Sequence, residues 1–240
     1  MADPFLYNTG ERSHYGCLGH EVQIEYLKAY VCRPPFSTDK AVIVVHDVFG
    51  WQFPDIRYIV DLMAGHGYIT ICPDFFKGTK PWTSRDHWAD FPDWMKNHDP
   101  MKVDKEADVV LKYLKEQCGA KKIGIIGFSW GGMAVHHLML KNPQLTAAVS
   151  LYGIVRDSEE RYSLLNPTFF IFGEKDHTIS LDQVSCCSGK ASFLIVHLSY
   201  REIFVRNHFH IQKIRQAGRF CLYFSFPSIL FRLFNASFLR

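Results

Sequence analysis

Several motifs that would assign this 240-residue chain to a common functional class are missing from it. It has no G-x-G-x-x-G and no P-loop sequence, so no motif points to a dinucleotide or a nucleoside triphosphate. None of its seven cysteines forms a C-x-x-C pair, and no histidine lies at metal-ligand spacing from them. We therefore expect free thiols and no bound metal. The first residues lack the apolar stretch of a secretory signal, and we therefore expect a cytosolic protein.

A strong net charge is missing too, since the formal value of +3 is too small to favour nucleic acid binding. The average conceals two different segments. Residues 1–184 contain 19 Lys+Arg and 23 Asp+Glu, whereas residues 185–240 contain 8 Lys+Arg, one acid and nine of the twenty phenylalanines. We predict a junction near Ser185, followed by a basic, Phe-rich tail. Residues 221–239 are apolar enough to suggest a membrane helix, but proline, arginine and asparagine interrupt them, so we expect no membrane contact.

Strand and helix patterns alternate along the first segment. Continuous β-branched runs indicate strands buried on both faces, and apolar residues three or four apart indicate helices. Such alternation predicts an α/β protein with a mostly parallel sheet and helices on both faces. The predicted strands are 21–27 (an antiparallel edge strand), 41–46, 68–72, 122–128, 147–152, 168–172 and 193–198; the predicted helices are 55–64, 104–117 and 133–140; residues 77–100 are predicted to be a loop rich in Trp and Asp.

A candidate nucleophile stands where a buried strand meets a helix. Gly127-Phe128-Ser129-Trp130-Gly131 fits G-x-S-x-G, the pattern of a sharp turn that lifts the serine Oγ above the sheet edge. The glycines on either side are needed because the strand and the helix approach closely there. The alternative is a glycine-rich turn that only lets the helix pack. If the turn is catalytic, the N–H groups of Trp130 and Val48 are the expected oxyanion donors.

Two aspartates follow other strands at the same edge. Asp176 comes 47 residues after Ser129, and in folds with this turn the acid follows the nucleophile in the chain. We predict Asp176 as the acid that orients a histidine, the alternative being a surface turn residue. Asp47 follows the strand 41–46 and is a candidate pocket residue that contacts the nucleophile directly. A helix cap is an equally compatible role for Asp47.

The segments VVHDVFGW, YITICPDFF, IGIIGFSWGG, LYGIV and FFIFGEKDH, in this order, resemble the dienelactone hydrolase family from about Gly16 to Val184. The resemblance implies an α/β-hydrolase fold and a cytosolic enzyme that cleaves cyclic esters (lactones) with a Cys-His-Asp triad and no cofactor. It also implies a domain over residues 16–184, with residues 185–240 as a divergent tail. We expect a monomer whose partner is a small ester or lactone, with neither nucleic acid nor a membrane as a partner.

The sequence departs from the family pattern in two ways. Ser129 occupies the place of the family's cysteine, and a hydroxyl, unlike a thiol of pKa ~8.5, needs a general base during attack. The family's His-Gly-Phe segment, which carries the triad histidine, is absent. The resemblance ends near Val184, so we expect the family's last strand and helix to be replaced by the tail. Two hypotheses follow: a serine hydrolase with another histidine, or a catalytically impaired isoform without one.

The histidines of the tail are the candidates for that role. His208 and His210 follow Asp176 by 32 and 34 residues, a separation similar to that in the family, and an apolar run precedes them. We predict His208, with His210 as the alternative. Coincidence in a tail rich in Arg and His is the competing explanation.

The other histidines are less suitable. His136 and His137 lie seven and eight residues beyond Ser129 on its helix, which at ~1.5 Å per residue places them too far along the axis to accept its proton. His177 directly follows the predicted acid, so the two side chains should diverge. His46 ends a strand and should point away from the loop that follows it.

Overall fold

Runs of β-branched residues build the centre of an eight-stranded sheet. The computed structural model describes residues 16–83, 86–154, 163–173 and 179, and the main chain of 192–196. The strands are β1 (His20–Ile24), β2 (Leu27–Cys32), β3 (Lys40–Val45), β4 (Ile69–Pro73), β5 (Lys122–Phe128), β6 (Leu145–Leu151), β7 (Thr168–Gly173) and β8 (Ser192–Val196), and the helices are α1 (Pro54–Gly65), α2 (Phe91–Asn97), α3 (Asp104–Glu116) and α4 (Trp130–Lys141).

The strand order is β1-β2-β4-β3-β5-β6-β7-β8. β2 pairs antiparallel with both β1 and β4, and every other neighbouring pair is parallel. The carboxyl ends of the parallel strands therefore lie along one edge of the sheet. In open α/β sheets this edge is where ligand sites form, because the loops that leave the strands converge there. The fold is that of an α/β hydrolase, as the sequence predicts.

Burial explains why the central strands carry so few polar residues. Residues 41–45 of β3 are fully buried, and β5 is buried from Ile123 onward. Helix α1 packs on β2, β3 and β4, and α4 packs on β3, β5 and β6, so the central strands are covered. Strands buried in this way read as continuous apolar runs, because neither face meets water.

Two predicted elements differ from the structure. The predicted edge strand 21–27 is two strands, because the chain reverses at Glu25, whose φ of 51° is left-handed, and β1 and β2 pair as a hairpin. The predicted loop 77–100 contains helix α2, which begins at Phe91 with a proline in its first turn. Proline is favoured there because that position has no intrahelical N–H bond to lose. For the hairpin, the alternation of apolar and polar residues continues across the turn at Glu25, so the sequence pattern does not reveal that turn.

A strand does lie next to β7, beyond the predicted junction. β8 pairs in parallel with β7, with Phe169 opposite Ser192 and Gly173 opposite Val196. The place of the next strand is therefore filled by residues of the tail, close to the predicted 193–198. The predicted helix replacement and the apolar stretch 221–239 lie outside the described residues. None of the described helices is long and apolar enough to cross a membrane.

Candidate active site

Ser129 occupies the turn between β5 and α4 in a conformation that few serines adopt. Its φ of 52° and ψ of −110° are strained for a residue with a side chain. The Ser129 N–H donates to the carbonyl of Leu151 at 3.0 Å, which ties the turn to the end of β6. Ser129 is half-buried, in contrast to the buried residues on either side of it. The strain and the exposure together are those of a nucleophile elbow.

The two glycines of the turn allow main chains to touch. A Cβ at Gly127 would lie 2.1 Å from the carbonyl oxygen of Gly131, and one at Gly131 would lie 2.4 Å from the carbonyl oxygen of Val45. Real Cβ atoms do not approach main-chain atoms so closely. The first turn of α4 therefore lies directly against the ends of β5 and β3. Only glycine, which has no Cβ, fits at positions 127 and 131.

The loop after β3 lies beside this turn. Val45 pairs with Gly127 across the two strands, and the carbonyl oxygen of His46 would be 2.6 Å from a Cβ at Gly131. The Val48 carbonyl accepts the main-chain N–H of Trp82 at 2.8 Å, which fixes the Val48 peptide. Among the described residues, no acceptor takes the main-chain N–H of Val48 or of Trp130. Two N–H donors thus remain available next to Ser129.

Asp47 caps its own turn. Its Oδ1 accepts the Phe49 N–H at 2.9 Å, and its carbonyl accepts the Gly50 N–H at 3.3 Å. The side chain is only 3% exposed, and no lysine or arginine of the described residues pairs with it. Burial therefore raises the pKa of Asp47 to about 7, because a lone charge is poorly solvated there. Asp47 is thus not a helix cap, because α1 begins at Pro54 directly after Phe53, and its carboxyl instead closes a turn within its own loop.

Both ring nitrogens of His46 contact main-chain groups. Its Nδ1 lies 2.8 Å from the carbonyl of Asp47, and its Nε2 accepts the N–H of Phe75 at 3.3 Å. These contacts occupy both ring nitrogens and suit the neutral ring with the proton on Nδ1. Complete burial lowers the pKa of His46 to about 4. His46 is therefore a structural histidine and not a proton acceptor for the serine.

The histidines of α4 are engaged elsewhere. The His137 Nε2 lies 3.0 Å from Oδ2 and 3.1 Å from Oδ1 of Asp104, the first residue of α3. His136 is buried with its ring against Phe170. The predicted residues Asp176, His177, His208 and His210 lie outside the described residues. The structure therefore brings together Ser129, Trp130, Asp47 and Val48 of the predicted set.

A connection that sequence reasoning missed holds the ring of Trp130. The indole Nε1–H donates to the carbonyl of His98, just past the end of α2, at 2.5 Å. The indole also stacks on His46, with 5.7 Å between centroids and 7° between planes. No pattern in the sequence links positions 98 and 130, because the link depends on where the chain after β4 folds back.

Nothing in the described part of the chain forms a metal site, since no group of three or more His, Cys, Asp and Glu residues converges there. The four cysteines that are described, Cys17, Cys32, Cys72 and Cys118, are free thiols.

Comparison with known proteins identifies what this arrangement resembles. A sequence model described as the dienelactone hydrolase family matches residues 27–191. The carboxymethylenebutenolidase homologue of Xenopus tropicalis is 58% identical over 189 residues, which make up 79% of this chain and 77% of that protein. The Homo sapiens homologue is 53% identical over the same shares of the two chains, 79% and 77%.

Solved structures give the same answer for the fold. A crystal structure of a Klebsiella pneumoniae protein provisionally described as a dienelactone hydrolase is 26% identical, with a TM-score of 0.62 over 74% of this chain and 84% of that one. A cold-adapted esterase from an Arctic intertidal metagenomic library is 14% identical, with a TM-score of 0.59 over 74% and 82%. The second likeness is one of fold alone.

The close contact at the elbow predicts a large difference between two glycine substitutions. Gly131→Ala should lower the free energy of unfolding by about 3 kcal/mol or more, because its Cβ would press on the Val45 carbonyl. Gly65→Ala, at the end of α1 with nothing within 4 Å of its Cβ, is the control and should change stability by less than about 1 kcal/mol. Urea unfolding measures both, and equal effects would contradict the contact.

The buried carboxyl of Asp47 predicts a pH-dependent difference in stability between the unsubstituted chain and Asp47→Asn. Because burial raises its folded-state pKa to about 7, the stability that Asp47 contributes is present near pH 4 and is lost as the pH rises through 7. Asp47→Asn should therefore become more stable than the unsubstituted chain between pH 4 and 7, by up to about 4 kcal/mol. Urea unfolding of both proteins across this range gives the difference. A flat difference, or one of opposite slope, would show that Asp47 ionises normally.

Proposed function

The chain belongs to the dienelactone hydrolase family, and on this basis we propose that it hydrolyses a small lactone or related carboxylic ester through Ser129. The observation that carries the proposal is the left-handed backbone of Ser129 at a strand-to-helix turn, near the main-chain N–H groups of Trp130 and Val48, for which no described residue is an acceptor. A turn that only connects two elements gains nothing from a strained backbone, whereas in a nucleophile elbow the strained conformation exposes the serine hydroxyl. The curated relatives are named for a lactone-type hydrolysis, which supports the substrate class.

In this proposal the Ser129 Oγ attacks the acyl carbon, and the carbonyl oxygen becomes an oxyanion. The main-chain N–H groups of Trp130 and Val48 donate to that oxygen, and the amino terminus of α4 adds its positive dipole end. The leaving oxygen takes the proton that the proposed histidine received from Oγ, and for a lactone the resulting alcohol stays tethered to the acyl group. Water then attacks the acyl-enzyme while the same histidine takes its proton, and the histidine returns that proton to Oγ as the acid is released.

The proton on Oγ needs an acceptor, and we propose His208, or else His210, oriented by Asp176. Serine depends on this acceptor more than cysteine does, because a hydroxyl does not ionise near neutral pH. Asp47 is proposed as a wall of the substrate pocket. Below pH 7 its carboxyl is largely neutral, so it offers an O–H to a substrate oxygen and repels no anionic group.

One observation favours the second candidate, a catalytically impaired isoform. His46 has both ring nitrogens occupied, and the His137 ring is bound to Asp104. Neither of these two rings is therefore in place to relay a proton from Ser129. Cytosolic location and a monomeric state belong to the same proposal as the ester hydrolase.

A fluorophosphonate probe tests the nucleophile. We expect the label to map to Ser129 and to disappear in Ser129→Ala, because only this serine stands in the strained turn next to N–H donors. Ser37→Ala, which replaces an exposed serine, is the control and should label as before. Peptide mass spectrometry locates the label. Labelling that persists in Ser129→Ala would refute the assignment, and no labelling at all would favour the impaired isoform.

Replacing the tail tests the base. If no histidine of the tail serves as the base, the full chain should hydrolyse aryl acetates poorly, because loss of one triad member leaves only ~10³–10⁴-fold acceleration over water. A chain in which a family-type ending with strand, His-Gly-Phe loop and helix replaces residues 185–240 should raise kcat/KM by several orders of magnitude.

If His208 or His210 serves as the base, the native chain is already active. Its rate then falls below a pH near the ordinary histidine pKa of ~6.5, and the matching His→Ala variant is inactive. A native chain as active as the exchanged one, with both histidines dispensable, would mean that the base has been misidentified.

A further inference from the structure

We infer that His98 is a positioning residue for the oxyanion donor Trp130, and that it acts through the indole ring. Its effect on catalysis rests on the function proposed above. The physical link itself does not, because it is a set of contacts between side chains and main chain. These contacts join α2, which follows β4, to the first residue of α4.

The bond between the two residues is buried. The indole N–H of Trp130 donates to the His98 carbonyl at 2.5 Å, and the Trp130 side chain is 2% exposed. A buried indole N–H that loses this acceptor has no water to replace it, so breaking the bond carries the full cost of desolvation. The indole plane is further fixed by His46, which stacks on it, and by Phe76, whose ring meets it edge-on at 4.9 Å.

The His98 carbonyl is in turn held by the His98 side chain. The Nδ1–H of His98 donates to the carbonyl of Trp94 at 2.9 Å, and Nε2 lies 2.8 Å from the hydroxyl of Thr79. Because the ring proton is on Nδ1, Nε2 accepts the Thr79 hydroxyl, whose oxygen also lies 2.6 Å from the carbonyl oxygen of Phe76. The imidazole also stacks on the Trp94 ring, with centroids 4.1 Å apart and 12° between planes. Both ends of the imidazole are therefore attached to the chain that follows β4.

The contacts that fix the Trp130 ring also restrict the main chain of the turn at Ser129. The Trp130 side chain and its main-chain N–H share one Cα, directly after the strained Ser129. A donor is useful to catalysis only if it is aimed at the oxyanion before the charge develops, since any later adjustment costs reaction barrier. A fixed indole limits how the Trp130 peptide can rotate. His98 thus limits the direction of the N–H without touching the substrate.

The catalytic test measures the ester hydrolysis that remains when no triad histidine takes part. Activity that remains without a base comes from the oxyanion donors and substrate binding, so it reports on Trp130 directly. In the full chain, Trp130→Phe removes the indole N–H and keeps an aromatic ring, and His98→Ala removes the anchor of the carbonyl. We expect each to lower kcat for an aryl acetate by about tenfold with KM changed less than about twofold, somewhat below the 10²–10³-fold loss for a deleted donor.

His137→Ala is the matched control, since His137 is also a buried histidine with a hydrogen-bonded ring, but its partner is Asp104. It should lower stability without changing kcat per folded molecule. If His98→Ala and His137→Ala behave alike, so that melting temperature falls while kcat stays constant, the inference is overturned. Ser129→Ala is measured in parallel, because activity that survives it overturns the proposed nucleophile and not the link to His98.

A second measurement needs no activity. In ¹H–¹⁵N spectra of the full chain, the indole resonance of Trp130 is assigned by its absence in Trp130→Phe. In His98→Ala this resonance should shift and exchange faster with solvent, and the main-chain amides of Ser129 and Trp130 should shift with it. None of these should move in His137→Ala. Main-chain amides of Ser129 and Trp130 that stay in place in His98→Ala would overturn the inference, whatever the rates show.

Discussion

The contact between the first turn of α4 and the main chain at the end of β3 is the constraint on which the site depends. With a Cβ at Gly131 the helix would have to move away from Val45, and the loop carrying Val48 would separate from Ser129. The same contact forces Ser129 into its left-handed backbone, because the chain must reverse within one residue. The position of Ser129, the position of the Val48 loop and the pairing of β3 with β5 are therefore parts of one close approach.

The loop after β3 carries two buried ionisable groups with opposite effects on stability. Burial lowers the pKa of His46 and raises that of Asp47, so both groups favour their neutral forms in the folded chain. As pH rises from 4 toward 6.5, the His46 contribution increases stability while the Asp47 contribution decreases it. Near pH 6 these two groups are therefore mostly uncharged in the folded chain. Neutral groups suit the proposed ester substrate, which is itself neutral until the oxyanion forms.

Aromatic residues after β4 support the elbow from the side. Phe76, Trp94 and His98 form a continuous set of ring contacts that ends on the indole of Trp130. Their packing fixes a long connection, and the short helix α2 lies within it. The sequence of this connection predicts a loop, because Pro and Asp interrupt it and its apolar residues follow no single period. Its order comes from contacts with other parts of the chain.

Local signals in the sequence were enough to predict most of the sheet, the main helices and the strand-to-helix turn at Ser129, because buried runs, helical spacing and G-x-S-x-G follow from hydrophobic burial and backbone sterics. Strand order also predicts that the loop with Asp47 and Val48 lies beside Ser129, and the pairing of Val45 with Gly127 agrees with this. The folded chain was needed to find the hairpin turn at Glu25, the turn that the Asp47 carboxyl closes, both hydrogen bonds of His46 and the bond from Trp130 to His98. These depend on which groups meet after folding, and a pattern along the chain carries no record of that.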